Sequence, residues 1–311
     1  MTRSIIHLNV ADFAVAVERI VDRRLQNRPM IVAPLGSARA VVYDMSEEAY
    51  QCGIRKHMPL RMARRLCPDA SVLHPHPDRY ERAMRALLKQ ALPYSPLDEA
   101  GDGDGHLFGD TTGTGRLFGP PGDSAWRLHR QGKTDLGLDP IWSVAPNKLV
   151  AKAATRRVKP VGEYVVGAGE EAVFLAPLPI RLVPGLERDD LDRLKAFNFT
   201  RVSQVMALSL EHLQVPFGNR ARFLYEAVRG SDSSPVLPAG RGRRSSATMI
   251  STTTRTSRQP WKAPFMAWRN MPAAGCADSG VRRGASALPW IIRPGSGLSA
   301  RPQQRRPRPT I

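Results

Sequence analysis

An α/β (α+β) fold is predicted for this chain of 311 residues by three observations. Short apolar runs of strand character alternate with segments of helical period through the first half of the sequence. Pro and Gly punctuate the joins, as at Pro68, Pro93 and Pro160. With 42% hydrophobic and 24% charged residues, the chain has ample apolar side-chain surface for a packed core.

The elements follow in order. Ser4–Val10 reads as a buried strand, and Phe13, Val17, Ile20, Val21 and Leu25 give the next segment one apolar helical face. Pro29–Ala33 and Ala40–Tyr43 read as two more strands. Ser46, followed by Glu47 and Glu48, is placed to cap a short helix ending at Gly53. Pro59–Cys67 is a second short helix stopped by Pro68, and Arg79–Ala91 a longer amphipathic one closed by Pro93. Strand character returns at Leu107-Phe108, then helix at Asp123–Gly132 and Asn147–Thr155. After Pro184-Gly185 come four dense helical segments, Asp189–Ala196, Val202–Leu208, Leu210–Val215 and Ala221–Gly230, forming a small all-helical domain.

Charge divides the chain. The formal net charge is +18, from 46 Lys and Arg against 28 Asp and Glu. Residues 241–311 hold 14 of those bases and one acid, Asp278, so the tail alone carries +13. Ser, Thr, Arg, Pro and Gly dominate that tail, which is expected to be a disordered basic arm. Nucleic acid is the natural partner for such a balance. Three cysteines without a Cys-x-x-Cys pair exclude a disulfide framework or zinc cluster. No apolar run approaches the ~18 residues of a membrane span, and no secretory pattern opens the chain, so a cytoplasmic location is expected.

Several collinear stretches carry a resemblance. They are Ile5-Ile6-His7-Leu8 with Phe13 and Val17-Glu18, then Gly53-Ile54-Arg55 with Met58-Pro59-Leu60, and Leu66-Cys67-Pro68-Asp69. Tyr94-Ser95-Pro96-Leu97, Thr112-Gly113-Thr114 with Leu117-Phe118-Gly119, and Pro146–Lys152 with Lys159-Pro160-Val161-Gly162 continue the series. Leu182–Gly185, Phe217-Gly218 and Arg229-Gly230 complete it. Together they resemble the Y-family (DinB/UmuC-like) DNA polymerases over residues 4–235. The resemblance implies a palm with a ferredoxin-like mixed sheet over residues 1–170, small fingers inserted at about 31–80, and a helical thumb over 171–235. Residues 236–311 stand where the family continues with a DNA-binding little finger, and nothing there resembles one. A shifted reading frame accounts for such a replacement.

Polymerases of this family hold two magnesium ions, which favour anionic oxygen ligands, on one Asp of the first strand and an Asp-Glu pair of the central hairpin. By the resemblance those positions fall on Asn9 and on Asp104-Gly105. Asp104 is then the one catalytic and metal-binding carboxylate left, and Asp12 lies where a helix begins. Glu47 and Tyr50 stand where the family grips triphosphate, and Ala14 where it excludes ribonucleotides. Loss of ligands from a two-metal site costs roughly a thousandfold or more in rate. The resemblance is therefore closest to the non-catalytic ImuB-type mutasome subunit.

Lys148 and Lys152, one helical turn apart, are the candidate nucleotide- and phosphate-binding residues. In the thumb-like segment Gly185, Arg201, Arg220 and Arg222 are the candidate DNA contacts, at a helix-hairpin-helix turn that lacks its second Gly because Glu187 stands there. The implied partners are primer–template DNA, bound without sequence specificity, and a replicative or error-prone polymerase or sliding clamp. Two alternatives stand beside this reading. One is an active error-prone polymerase using Mg²⁺, with Asp104 helped by Asp102 or Asp12. The other is a truncated, poorly folding pseudoprotein. Gly101–Gly105 fits a solvated hairpin turn better than a calcium loop, lacking the terminal Glu, and Gly113–Gly119 lacks the Gly-Lys-Ser/Thr of a phosphate loop. His74 and His76 fit a loop, and Cys52 and Cys67 small packing residues.

Overall fold

The computed structural model describes residues 2–101 and 103–238. The tail read as disordered lies, from residue 239 on, outside the described residues. Strand β1 (Ile5–Val10) is buried along its whole length and leads through Ala11 and Asp12 into α1 (Phe13–Val21). Next comes a small sheet unit. It contains β2 (Met30–Val32), β3 (Asp44–Met45), α2 (Glu47–Gln51), α3 (Leu60–Leu66) and β4 (Ser71–Leu73). Its strands lie in the order β3-β2-β4 around Ile31, Ala33, Val42, Ala49, Ile54, Ala63 and Cys67.

Ser46 caps α2 by accepting from the Ala49 amide, as its place before two acids predicts. Ala40–Tyr43 is a correction: it forms no strand, and β3 begins only at Asp44. Its backbone turns instead to the 57–60 loop, with Val42 N donating to Met58 O and Leu60 N to Ala40 O.

Helix α4 (Pro77–Ala91) starts two residues before the predicted Arg79, because Pro77 occupies its first turn, where no amide is needed. Then come β5 (Leu97–Ala100), β6 (His106–Asp110), α5 (Gly115–Phe118), α6 (Pro121–Asp135), β7 (Pro140–Ala145), α7 (Lys148–Val158) and β8 (Glu163–Val165). The large sheet runs β5-β6-β1-β7-β8 and is mixed: β1 is antiparallel to both β6 and β7, and β7 is parallel to β8.

Strand alternation gives β1 two faces. Ile6, Leu8 and Val10 pack under α1, α4 and α6, in a core with Phe13, Tyr80, Leu87, Leu107 and Leu128. Ile5, His7 and Asn9 face the other way. There Ile5 joins Phe108, Leu149 and Val150 in a second core, which continues into α8 (Glu171–Leu175), α9 (Arg188–Ala196), α10 (Val202–Met206), α11 (Leu210–Phe217) and α12 (Ala221–Val228). Helix α7 thus joins the sheet to the helical segment, and its own length is apolar on that side.

A strap beyond α12 fixes this junction. Asp232 caps α7 by accepting from Leu149 N at 3.0 Å, and Asn147 Nδ2 donates to Gly230 O at 2.7 Å. Glu99 accepts from Leu237 N at 2.8 Å, and Val236 is buried. No helix among the described residues is long and apolar enough to cross a membrane.

Candidate functional site

The end of β1 and the β5–β6 hairpin form the floor of a polar cleft roofed by α7. Asn9 pairs in register with His106, and His7 with Phe108. The position facing Asn9 across the sheet is therefore His106, one residue beyond the predicted Asp104-Gly105 pair. Gly105 lies in the turn with φ +79°, and its amide neighbourhood is closed: a Cβ there would come 2.7 Å from Val10 O and 2.8 Å from Phe13 Cβ. No side chain fits without displacing β1. Asp104 curls back over the hairpin, accepting from the His106 amide at 3.1 Å.

The histidines form a directed chain. Thr155 Oγ1 donates to Lys152 O at 3.0 Å and so accepts from His7 Nδ1 at 2.8 Å. His7 Nε2 then accepts from His106 Nδ1 at 3.0 Å, a proton assignment set by the network. The two rings stack at 5.1 Å, and His7 also stacks on Phe108 at 4.3 Å. Burial, then the neighbouring cations Lys152, Lys159, Arg156 and Lys56, pushes His106 down to about 3. His7, fully buried, is lowered well below its ordinary value, by burial first and then by His106 and by Lys152, Lys159 and Arg156. Both imidazoles are neutral at physiological pH.

Lys152 and Arg156 on α7, and Lys159 just past its end, follow at helical spacing, and all three are lowered, chiefly by burial. On the opposite rim Asp44 is buried and fully engaged: it accepts from Ala14 N at 3.0 Å, Met45 N at 3.1 Å and Lys56 Nζ at 2.8 Å. Asp12 sits in a left-handed conformation at φ 46°, with no capping bond from its side chain. Burial first, then Asp44, raises it to about 6, while Lys56 and Lys159 oppose the rise. Asp12 is thus coupled to the rim of the cleft, where the sequence reading had set it apart.

Magnesium tests this donor set directly. A hard dication wants converging anionic oxygens. Here the two facing strand positions hold an amide and a neutral imidazole, and the charges acting most on the histidines are cations. Among the described residues, no three His, Cys, Asp or Glu side chains converge on a point that could hold an ion. Among the described residues, those at these positions do not fit the two-ion group.

The other predicted site residues are placed as follows. Lys148 is ion-paired with Glu99, its Nζ 2.6 Å from Oε2, and anchors the strap rather than entering the cleft beside Lys152. Arg220 is a bracket inside the helical segment: it donates to Asp190 at 2.7 Å and to Gly185 O at 2.8 Å, and lies 4.6 Å over the Phe223 ring. Gly185 has φ +81°, and a Cβ there would come 2.5 Å from Phe223 Cζ, so the turn admits only Gly. Arg201 reaches Pro177 O at 3.3 Å, and Arg222 is exposed and pairs with Glu226 one turn on. His106, Arg156, Lys159 and Lys56 escaped the sequence reading as site residues, although the 152, 156, 159 spacing was there to find. Because Asp190 is buried, Arg220→Ala is expected to cost about 2 kcal/mol, read by urea denaturation. A change below 0.5 kcal/mol would show the bracket to be dispensable.

The chain thus combines a mixed five-stranded sheet, a small inserted three-stranded sheet unit and a following helical segment. Residues 8–156 match the impB/mucB/samB family. DNA polymerase IV of Halorhodospira halophila is 34% identical over 249 residues, 78% of this chain and 68% of that protein. DNA polymerase IV of Dehalococcoides mccartyi is 32% identical over 255 residues, covering 81% of this chain and 65% of the relative. Among solved structures, DinB from Sulfolobus solfataricus superimposes with a TM-score of 0.69 at 21% identity, over 75% of this chain and 69% of that one. The chain belongs to the impB/mucB/samB family, the Y-family DNA polymerases. It spans about two thirds of the length of the curated relatives it matches, 65% and 59% in two of them.

Proposed function

We propose that this chain is a Y-family DNA polymerase-like protein of translesion synthesis and DNA repair within the SOS response. In this reading it acts in the cytoplasm as a non-catalytic accessory subunit of ImuB type. It binds primer–template DNA through phosphate contacts and serves a partner polymerase or sliding clamp. The palm with its inserted fingers spans 1–170, the fingers about 31–80, and the thumb 171–235. One observation carries the reading: Asn9 and His106 face each other at the cleft floor, and Gly105 is closed to any side chain. Lys152 supplies phosphate contact from α7, and Arg201 and Arg222 supply it from the thumb.

Primer extension by the purified chain, with Mg²⁺ and then Mn²⁺, tests the proposal. The expected result is incorporation at least a thousandfold below that of an active relative, together with DNA binding that weakens steeply with salt. Robust incorporation abolished by Asp104→Ala would overturn it. That result would favour the second reading, an active error-prone polymerase, which the DNA polymerase IV relatives and the coupled Asp12 and Asp44 support. A chain without a cooperative melting transition would instead support a poorly folding pseudoprotein.

A further inference from the structure

Of the two cysteines expected to be small packing residues, only Cys67 is buried, at 5% exposed; Cys52 is exposed. Both end helices of the small sheet unit. The Cys52 amide closes α2 on Glu48 O at 3.3 Å, and the Cys67 amide closes α3 on Ala63 O at 3.1 Å. The two helix ends meet. Leu66 Cδ1 lies 3.9 Å from where a Cβ on Gly53 would stand. Ala49 and Ile54, on either side of Cys52, share one core with Ala63 and Cys67. The thiols themselves are in contact, the Cys67 S–H donating to Cys52 Sγ, and the Ala70 amide donates to Cys67 Sγ. Burial first, then Cys52, holds the Cys67 thiol above its ordinary value, so it stays protonated at neutral pH. An exposed thiol touching a buried one is the arrangement of an attacking and a resolving cysteine.

We propose that Cys52 and Cys67 form a thiol-exchange site whose co-reactant is a low-molecular-weight disulfide. Cys52, the sulfur that an outside reagent reaches, attacks one sulfur of the disulfide R–S–S–R. The S–S bond breaks, a Cys52–S–S–R bond forms, and the first R–S–H leaves with the Cys52 proton. Cys67 then attacks Cys52 Sγ and expels the second R–S–H, which takes the Cys67 proton. Two protein thiols are oxidised to one disulfide, and one small disulfide is reduced to two thiols. The bridge ties the end of α2, the helix that carries Glu47 and Tyr50, to the end of α3. It closes the 52–67 loop and so restricts the unfolded chain. In a reducing compartment such a bond is transient and reports the redox state. The inference goes beyond the functional reading above, since the exchange needs no nucleic acid.

The test treats the full chain, as wild type and as Cys276→Ser, with excess oxidised glutathione at about pH 8. Intact mass and non-reducing peptide maps then locate the bonds. The expected product has lost about 2 Da, links Cys52 to Cys67, and melts about 5 °C higher until dithiothreitol returns it to the starting value. Cys67→Ser should stop at a stable glutathione adduct on Cys52. Cys52→Ser should leave Cys67 unreactive in the folded chain and reactive in urea. Melting curves verify that the variants fold, and Cys67→Ala replaces Cys67→Ser where the core rejects the hydroxyl. A glutathione adduct that persists on Cys52 while Cys67 stays free overturns the proposal. So does a folded chain that does not react, or a bond from either thiol to Cys276 or to a second copy of the chain. Each of these results leaves the DNA-binding reading as it stands.

Discussion

Glu18→Ala is expected to destabilise the protein by about 3 kcal/mol, measured by urea denaturation. Glu18 is 3% exposed, yet it is a carboxylate with three partners on the next long helix. It accepts from His76 Nδ1 at 2.8 Å, Arg79 Nη1 at 2.8 Å and Tyr80 Oη at 3.1 Å. These bonds tie α1 to the first turn of α4, and so set how the helix layer meets the sheet. Removing the carboxylate frees His76 and Arg79 to find water, but leaves the buried Tyr80 hydroxyl without an acceptor and opens a void. Glu18→Gln keeps one acceptor oxygen and should lose about half as much. Equal stability of wild type and Glu18→Ala would show that packing alone holds α1 to α4.

The second large effect concerns Asp98. Its carboxylate is 4% exposed, neither oxygen has a hydrogen-bond partner, and the surrounding side chains include Ile6, Leu8, Ala91, Leu107 and Leu128. The adjoining cavity is about 10 Å³, at the lower limit of what a single water needs. Burial pushes Asp98 up to about 7, with Ser95 opposing. In the unfolded chain it titrates near 4. Between those values the folded protein holds a proton that the unfolded chain has released, so stability falls as pH rises. The loss begins near pH 4 and is complete above about pH 7. The rise from about 4 to about 7 corresponds to about 4 kcal/mol, of which about 3 kcal/mol should fall between pH 5 and pH 8. Asp98→Asn cannot ionise and should abolish that fall, so its stability relative to wild type should rise by about 3 kcal/mol from pH 5 to pH 8. Denaturation at both pH values decides it, and parallel profiles would refute the assignment.

Much of the architecture was legible because it rests on local signals. Ser46 before two acids marked α2, Pro68 and Pro93 closed α3 and α4, and dense helical spacing after Gly185 marked α9 to α12. Strands β7 and β8 escaped because β7, buried on both faces, has no alternation to read. Ala40–Tyr43 misled because its apolar run pairs with a loop.

The site was harder. The resemblance set Asn9 beside Asp104-Gly105 as the family's carboxylate positions, whereas the residue paired with Asn9, His106, follows from strand register, which sequence alone does not give. Lys148 and Lys152 looked equivalent one turn apart. Which of them meets the cleft depends on Glu99, 49 positions away in sequence.

The contact of Phe13 beneath Gly105 has an evolutionary corollary. Seating any side chain at this turn first requires the hairpin to slide away or β1 and Phe13 to shift, because Val10 O and Phe13 Cβ occupy the space. Either step loosens packing before any catalytic benefit accrues. Any residue larger than Gly at position 105 is therefore reached only through a less well packed intermediate.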